Sequence, residues 1–302
     1  MSNPYHIPVM PAESLQGLNL FPGALVVDAT YGGGGHSRLI LDKIGNGRLF
    51  AFDQDEDAAA NVIDDDRLYF IRHNFRYLKN FLQYYNVEKV DAVFADLGVS
   101  SHDFDVAGRG FSFRLEGKLD MRMNRNVSVD ASQVVNSYSQ EKLLFIFRMY
   151  GEIKNAGRLV NEIMRERNLS PIDTTARLKE IALRCAPGGI ENKYLAQVFQ
   201  ALRLEVNDEL EALKEFLLAA LDVLKPGGRL AVITYHSLED RLCKNFMKAG
   251  NFEGKVEKDF YGNVQSPFEL VNRKVITPQA DELKENVRSR SAKLRVAEKK
   301  QR

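Results

Sequence analysis

Three aspartates and a run of four glycines are the residues of this chain best placed to do chemistry. Asp28 ends the apolar stretch Ala24–Val27 and is followed, after three residues, by Gly32, Gly33, Gly34 and Gly35. Asp53 ends a second apolar stretch, Gly47–Phe52, and Asp96 ends another, Val90–Ala95. Four glycines in a row cost backbone entropy and offer a strand or helix nothing to bury. They belong where the chain turns tightly and a ligand must approach its backbone. An acid roughly 20 residues beyond such a turn can accept hydrogen bonds from both hydroxyls of a ribose. A flexible loop beside a surface acid is the plainer reading. It leaves unexplained why strand, glycines, helix, strand and acid fall in that order.

The elements that must position these residues follow from hydrophobic patterning. Short apolar runs at 24–27, 47–52, 68–72 and 90–95 read as strands covered on both faces. Helical spacing fills the intervals at 37–44, 55–63 and 76–85, the last with Leu78, Phe81, Leu82 and Tyr85 on one side. Strict alternation of strand and helix predicts a parallel sheet with right-handed crossovers. Ligands of such sheets bind beyond the carboxyl ends of the strands, where Asp28, Asp53, Phe75 and Asp96 all fall.

From about residue 106 the pattern changes. Arg109–Phe113 and Leu119–Met123 are irregular and basic, and helical stretches follow at 140–150, 156–167, 174–185 and 194–205 with no strand between them. This reads as an inserted all-helical domain spanning 106–207, between a first part (1–105) and a second part (208–302) of one α/β domain. In the second part a helix over 208–224 stops at Lys225-Pro-Gly-Gly. A fifth strand over 229–235 leads into His236, a helix continues over 242–248, and two last strands, 268–276 and 292–297, read as an antiparallel closing pair.

Composition narrows the class. With 302 residues and 44% hydrophobic content the chain can bury a substantial core. No apolar run approaches the length of a membrane span, and the polar, proline-bearing N-terminus is not a signal peptide. Two cysteines, Cys185 and Cys243, and five scattered histidines give no metal-ligand spacing and fit reduced thiols in a cytoplasmic protein. The net charge is only +1, but basic residues gather at Arg109–Arg125 and along the tail from Lys284. These are solvated faces or a phosphate-binding footprint.

Two ligand classes fit glycines after the first strand and an acid after the second: a nicotinamide dinucleotide and S-adenosylmethionine (AdoMet). Asp28 favours AdoMet, since a carboxylate suits its ammonium group, whereas a dinucleotide presents a pyrophosphate. The glycines also miss the dinucleotide spacing, running Gly32, Gly34 and then Ser37. No Gly-Lys-Ser/Thr follows, which excludes a phosphate loop of the P-loop type. The turn before the fifth strand and the late closing pair also suit a methyltransferase. An NAD-linked oxidoreductase and a non-catalytic ribosome-assembly factor remain as alternatives at this point.

Seven motifs in combination carry a specific resemblance: residues 28–37 (DATYGGGGHS), 96–101 (DLGVSS), 109–113 (RGFSF), 119–123 (LDMRM), 199–203 (FQALR), 236–241 (HSLEDR) and 288–295 (RSRSAKLR). Over essentially its whole length the chain resembles the MraW/RsmH family of bacterial methyltransferases. The resemblance implies a Rossmann-like class I AdoMet-dependent methyltransferase sheet with an inserted helical domain. It implies methyl transfer to the N4 amine of a cytosine in 16S rRNA, with the assembled small ribosomal subunit as partner. It implies AdoMet held by Gly34, Gly35, His36, Asp53, Phe75 and Asp96, and by Asp103, which stands where the family commonly has Gln. Gly33 replaces a usual Arg, and Lys193–Val198 replaces a usual His-Pro-Ala-Thr-Arg-Thr. In this light Asp96 is the candidate catalytic group, accepting the N–H bonds of the target amine. Ser100 and His236 are candidate contacts to the base. Arg109, with Arg114, Arg122 and the tail from Arg288, is a candidate for RNA phosphates near the crevice mouth. The cytosine must be unpaired or flipped out to be reached.

Overall fold

A computed structural model describes residues 8–98, 104–262 and 264–301. The chain forms two compact units, one of residues 1–98 with 210–302 and the other of residues 99–209.

Among the described residues of the first unit, seven strands make one sheet: β1 (Leu25–Asp28), β2 (Arg48–Phe52), β3 (Leu68–Ile71), β4 (Val90–Asp96), β5 (Leu224–Thr234), β6 (Phe268–Leu270) and β7 (Lys293–Lys299). Their order is β3-β2-β1-β4-β5-β7-β6. The first five are parallel, and β7 runs antiparallel to both β5 and β6. This is a Rossmann-like α/β sheet closed by an antiparallel pair. Alternate residues face opposite sides, and both sides are dry. Val27, Phe50, Phe52, Val93 and Val232 pack into one core, while Val26, Leu49, Phe94, Ala231 and Ile233 pack into the other. That double burial is why the strands read as unbroken apolar runs.

The helices of this unit are α1 (Pro11–Leu18), α2 (Gly35–Lys43) and α3 (Leu78–Tyr84) before the second unit, with α9 (Glu209–Val223, whose first residue belongs to that second unit), α10 (Ser237–Ala249) and α11 (Ala280–Glu285) after it. Three details depart from the sequence reading. Residues 56–61 form a 3-10 turn rather than an α-helix; Tyr31 Oη pins its end, donating to the Asn61 carbonyl at 2.8 Å and accepting from Ile63 N at 3.0 Å. Lys225-Pro-Gly-Gly does not precede β5 but bulges within it, as the register with β4 jumps from Val90–Leu224 to Ala92–Arg229. The strand expected over 268–276 stops at Leu270, and Ile276 returns only as a single bridge to Leu294.

The second unit is helical: α4 (Ala131–Ser137), α5 (Gln140–Met149), α6 (Ala156–Arg167), α7 (Thr175–Cys185) and α8 (Glu191–Val206). Leu143, Phe147, Leu159, Ile163, Leu178, Ile181, Val198 and Leu202 close its own core. Helix α4 carries a capping box, Asp130 accepting from Gln133 N while the Gln133 side chain accepts from Asp130 N. No helix among the described residues is long and apolar enough to cross a membrane.

Candidate active site

The sheet register fixes the depth of the three aspartates. Asp28 lies level with Ala51 of β2 and Phe94 of β4. Asp53 and Asp96 therefore each sit two residues further along, past the point where β1 has turned away into the glycine loop. Asp28 is accordingly sunk, with 0% exposure, while Asp53 and Asp96 are part-exposed at the rim.

Asp28 holds the loop from beneath. Its Oδ1 accepts Thr30 N at 3.1 Å and its Oδ2 accepts Ser37 Oγ at 2.7 Å, so one carboxylate spans both ends of the glycine run. Burial raises its pKa to about 6 against these two hydrogen bonds. Enclosed in this way, Asp28 has each oxygen engaged by the loop it shapes, whereas its sequence position suggested a ligand's ammonium group.

Asp53 ties the loop from the side. Oδ2 accepts Gly32 N at 2.8 Å and Oδ1 accepts Asp55 N at 2.9 Å. Each oxygen keeps a further lone pair, as a ribose with two hydroxyls requires. Desolvation raises this carboxyl to about 6. Gly34 caps α2 in the left-handed region, φ 76°, and a Cβ there would lie 2.6 Å from Tyr31 Oη. Only glycine fits, and having no side chain it leaves the first amides of α2 without a side-chain cap from that position. His36, in the first turn of α2, is nearly buried. Its Nε2 lies 2.9 Å from the Val9 carbonyl and its ring packs on Phe94. Phe75 opens the turn after β3, packs edge-on against Phe216 at 5.2 Å between ring centroids, and stays part-exposed.

Asp96 ends β4. Its N–H donates to Thr30 Oγ1 at 2.7 Å and its Oδ1 accepts Tyr235 Oη at 2.7 Å, while Oδ2 lies 3.8 Å from His36 Nδ1. Burial raises its pKa to about 7. Asp28, Glu239 and Glu282 add repulsion, and the Tyr235 hydrogen bond offsets part of the rise. The sequence reading did not single out Tyr235 or Glu239. The signal for Tyr235 was its place one residue past β5, level with the carboxyl ends; the signal for Glu239 was an acid three residues after His236, the spacing of a capping box.

His236 caps α10. Its Nδ1 accepts Glu239 N at 3.5 Å and its Nε2 faces Glu239 Oε1 at 2.8 Å. Glu239, only 3% exposed, also accepts Tyr235 N at 3.1 Å. Nδ1 thus serves as the cap of α10, while the buried Nε2 makes no hydrogen bond among the described residues; the sequence suggested contact with a base for this side chain. Ser100 and Asp103 lie outside the described residues. Arg109 belongs to the second unit and is 2% exposed, with its guanidinium over the Phe111 ring at 5.6 Å; Arg122 is clamped by Asp120. Both are packing residues in this conformation, while Arg114 is exposed. The basic tail divides in the same manner. Arg295 pairs with Asp240 at 2.7 Å and Lys299 caps the Leu221 and Leu224 carbonyls, whereas Arg288 and Arg290 are exposed.

Among the described residues, the acids gathered at the strand ends are Asp28, Asp53 and Asp96 with, in their field, Glu239 and Glu282; His36 and Tyr235 stand beside Asp96. Such a crevice suits a cationic ligand and repels a pyrophosphate. The donor set therefore fits AdoMet, with a sulfonium, an ammonium and a ribose, and disfavours a dinucleotide. Together with the sheet order, it defines a class I AdoMet-dependent methyltransferase. The chain belongs to the MraW methylase family, whose model matches residues 3–300. The ribosomal RNA small subunit methyltransferase H of Phocaeicola vulgatus is 58% identical over 297 residues, covering 98% of each chain. The protein of the same name from Flavobacterium johnsoniae is 52% identical over 296 residues, again covering 98% of each. Among solved structures, an rRNA methylase from Streptococcus thermophilus aligns over 100% of this chain and 99% of that one, at 14% identity and a TM-score of 0.44. That likeness is too distant to add to the assignment.

Proposed function

We propose that this chain methylates the exocyclic N4 amine of a cytosine in 16S rRNA, acting on the small ribosomal subunit in the cytoplasm. The reading is supported by family membership and by relatives named as small-subunit rRNA methyltransferases. Within the molecule, the observation that carries it is the Asp96 carboxyl, part-exposed at the end of β4 with Oδ1 held by Tyr235 Oη at 2.7 Å.

AdoMet, when bound, supplies the methyl group from its sulfonium. Asp53 holds the ribose hydroxyls, and the loop at Gly34, Gly35 and His36 receives the rest of the cofactor at the start of α2. Phe75, part-exposed beyond β3, packs against the adenine. Asp103 and Ser100 are assigned to cofactor and base on the family resemblance alone. The acids stabilise the cationic donor before transfer. Asp96 accepts an N–H of the target amine, draws electron density onto nitrogen and takes the proton as the bond to carbon forms. A base with a pKa near the working pH suits that step. Positioning of donor and amine supplies much of the remaining rate. The exposed Arg114, Arg288 and Arg290 hold RNA phosphates. An NAD-linked oxidoreductase loses support from the acids of the crevice.

Calorimetric titration with AdoMet and with NAD, followed by labelled methyl transfer to small subunits lacking the modification, tests the proposal. AdoMet binding, no NAD binding and recovery of label in N4-methylcytidine are expected. An AdoMet-loaded protein that leaves such subunits unlabelled would overturn it.

A further inference from the structure

We propose that Tyr235 is a positioning residue for the transfer: its hydroxyl holds Oδ1 of Asp96, so that Oδ2 is the oxygen that takes the proton of the target amine. The inference rests on the function proposed above.

Tyr235 is fixed along its whole length. In the parallel register Asp96 lies opposite Ile233, which puts Tyr235 two residues further along that chain, one past β5 and beside the end of β4. Its backbone N–H donates to the buried carboxylate of Glu239 at 3.1 Å. Its ring lies against the turn that follows Asp96, where Gly98 has φ 151° and a Cβ would come within 3.1 Å of Tyr235 Cδ2. A side chain at position 98 would push the ring aside. The hydroxyl then reaches Asp96 Oδ1 at 2.7 Å.

With the Asp96 amide on Thr30 and Oδ1 on Tyr235, the carboxyl group cannot rotate freely. Oδ2 makes no hydrogen bond among the described residues, its near neighbour being His36 Nδ1 at 3.8 Å. The two oxygens are therefore unlike before any substrate arrives. When the amine N–H bond breaks, its electron pair stays on nitrogen and the proton passes to Oδ2.

The same bond also sets the pH at which Asp96 is ready. The titratable and charged groups facing it are Asp28 on β1, His36 on α2, Glu239 on α10 and Glu282 on α11, together with Tyr235 itself. Desolvation and the three acids hold the proton on; the phenol, donating to the carboxylate, helps to release it. Tyr235→Phe keeps the ring that packs on Gly98 and removes only the donor.

Two measurements test this. In the cofactor-free protein, the ¹³C-carboxyl resonance of Asp96 should titrate about one pH unit higher in Tyr235→Phe than in the wild type. In turnover on small subunits, the acid limb of kcat should move the same way, giving about a tenfold loss at pH 6.5 that shrinks as pH rises, with little change in KM for AdoMet. Replacing Tyr235 by 3-fluorotyrosine, a stronger donor of the same shape, should move both midpoints down, and it serves if the Phe variant does not fold. An unshifted carboxyl titration, or a loss of kcat equal at all pH values, overturns the inference. Wild-type protein inactive on subunits would instead sink the proposed function, while the cofactor-free titration would still decide whether Tyr235 governs Asp96.

Discussion

The Asp53 carboxylate accepts the backbone N–H of Gly32 at 2.8 Å, joining the end of β2 to the first glycine of the loop across 21 residues. One side chain therefore shapes the glycine loop and, in the function proposed above, would also hold the ribose. Asp53→Ala should cut AdoMet affinity about 10- to 100-fold, the range expected for losing hydrogen bonds to a charged group. Asp53→Asn, which can still accept Gly32 N–H, should fall between the two. Isothermal titration of the three proteins checks the order; equal affinities would remove Asp53 from the site.

The acids of the crevice make cofactor binding depend on pH. Asp28 and Asp53 titrate near 6 and Asp96 near 7, each raised by burial. Below about pH 5 all three are neutral and the crevice loses its attraction for a sulfonium. AdoMet affinity should therefore climb between pH 5 and 8. S-adenosylhomocysteine, whose sulfur is uncharged, should show a shallower rise over the same range. Parallel slopes for the two ligands would mean that the acids do not sense the sulfonium.

Asp28 also couples pH to stability. Its native pKa lies above the value of 3.8 it has when exposed, so the folded chain keeps a proton that the unfolded chain has released. Unfolding then gains on folding as pH rises from about 4 to about 6, and the cost stays constant above that. A shift of this size corresponds to about 3 kcal/mol as an upper figure. Asp28→Asn, which keeps the shape and can still accept from Thr30, should raise the melting temperature more at pH 8 than at pH 4.5. A gain independent of pH, or none, would contradict the assignment of cost to the buried charge.

How much of this was legible in the sequence depended on whether a residue's role is local. The strands of the parallel sheet were visible because both faces are buried, and the strand–glycine–helix unit because only glycine tolerates position 34. Register was not visible. Nothing in the order of residues says that Asp28 lies two positions deeper than Asp53 and Asp96. The pairing of Tyr235 with Asp96 spans 139 residues and depends on β5 returning beside β4 after the helical unit. Charge was the least legible feature: Arg109, Arg122 and Arg295 look like exposed cations in the sequence but are held by Phe111, Asp120 and Asp240.

Two glycines give opposite outcomes on the same substitution. At Gly34 a methyl group meets Tyr31 Oη at 2.6 Å, and Tyr31 cannot withdraw because Asn61 and Ile63 hold its hydroxyl. Gly34→Ala should cost about 1–3 kcal/mol and weaken AdoMet binding more than tenfold. Gly157 sits in helix α6 with nothing within 4 Å of a built Cβ. Gly157→Ala should stabilise by about 0.5–1 kcal/mol and leave binding unchanged. Thermal melts and titrations of both variants check the contrast.

The basic tail should separate into residues that fold the protein and residues that meet RNA. Arg295 lies in β7, 16% exposed, with its Nε on Asp240; Lys293 reaches the same carboxylate at 3.4 Å. Arg295→Ala leaves that acid with a single, longer partner in a half-buried position, and should lower the melting temperature by several degrees. Arg288 and Arg290 are exposed in the turn at Val287–Ser291, outside the strands of the sheet. Replacing both by Ala should lower the melting temperature less than Arg295→Ala does. It should also weaken binding to small subunits and reduce the slope of log affinity against log salt by about one per lost phosphate contact. A double variant that binds subunits with the wild-type salt slope would place the RNA footprint elsewhere, with the exposed Arg114 of the second unit next to be tested.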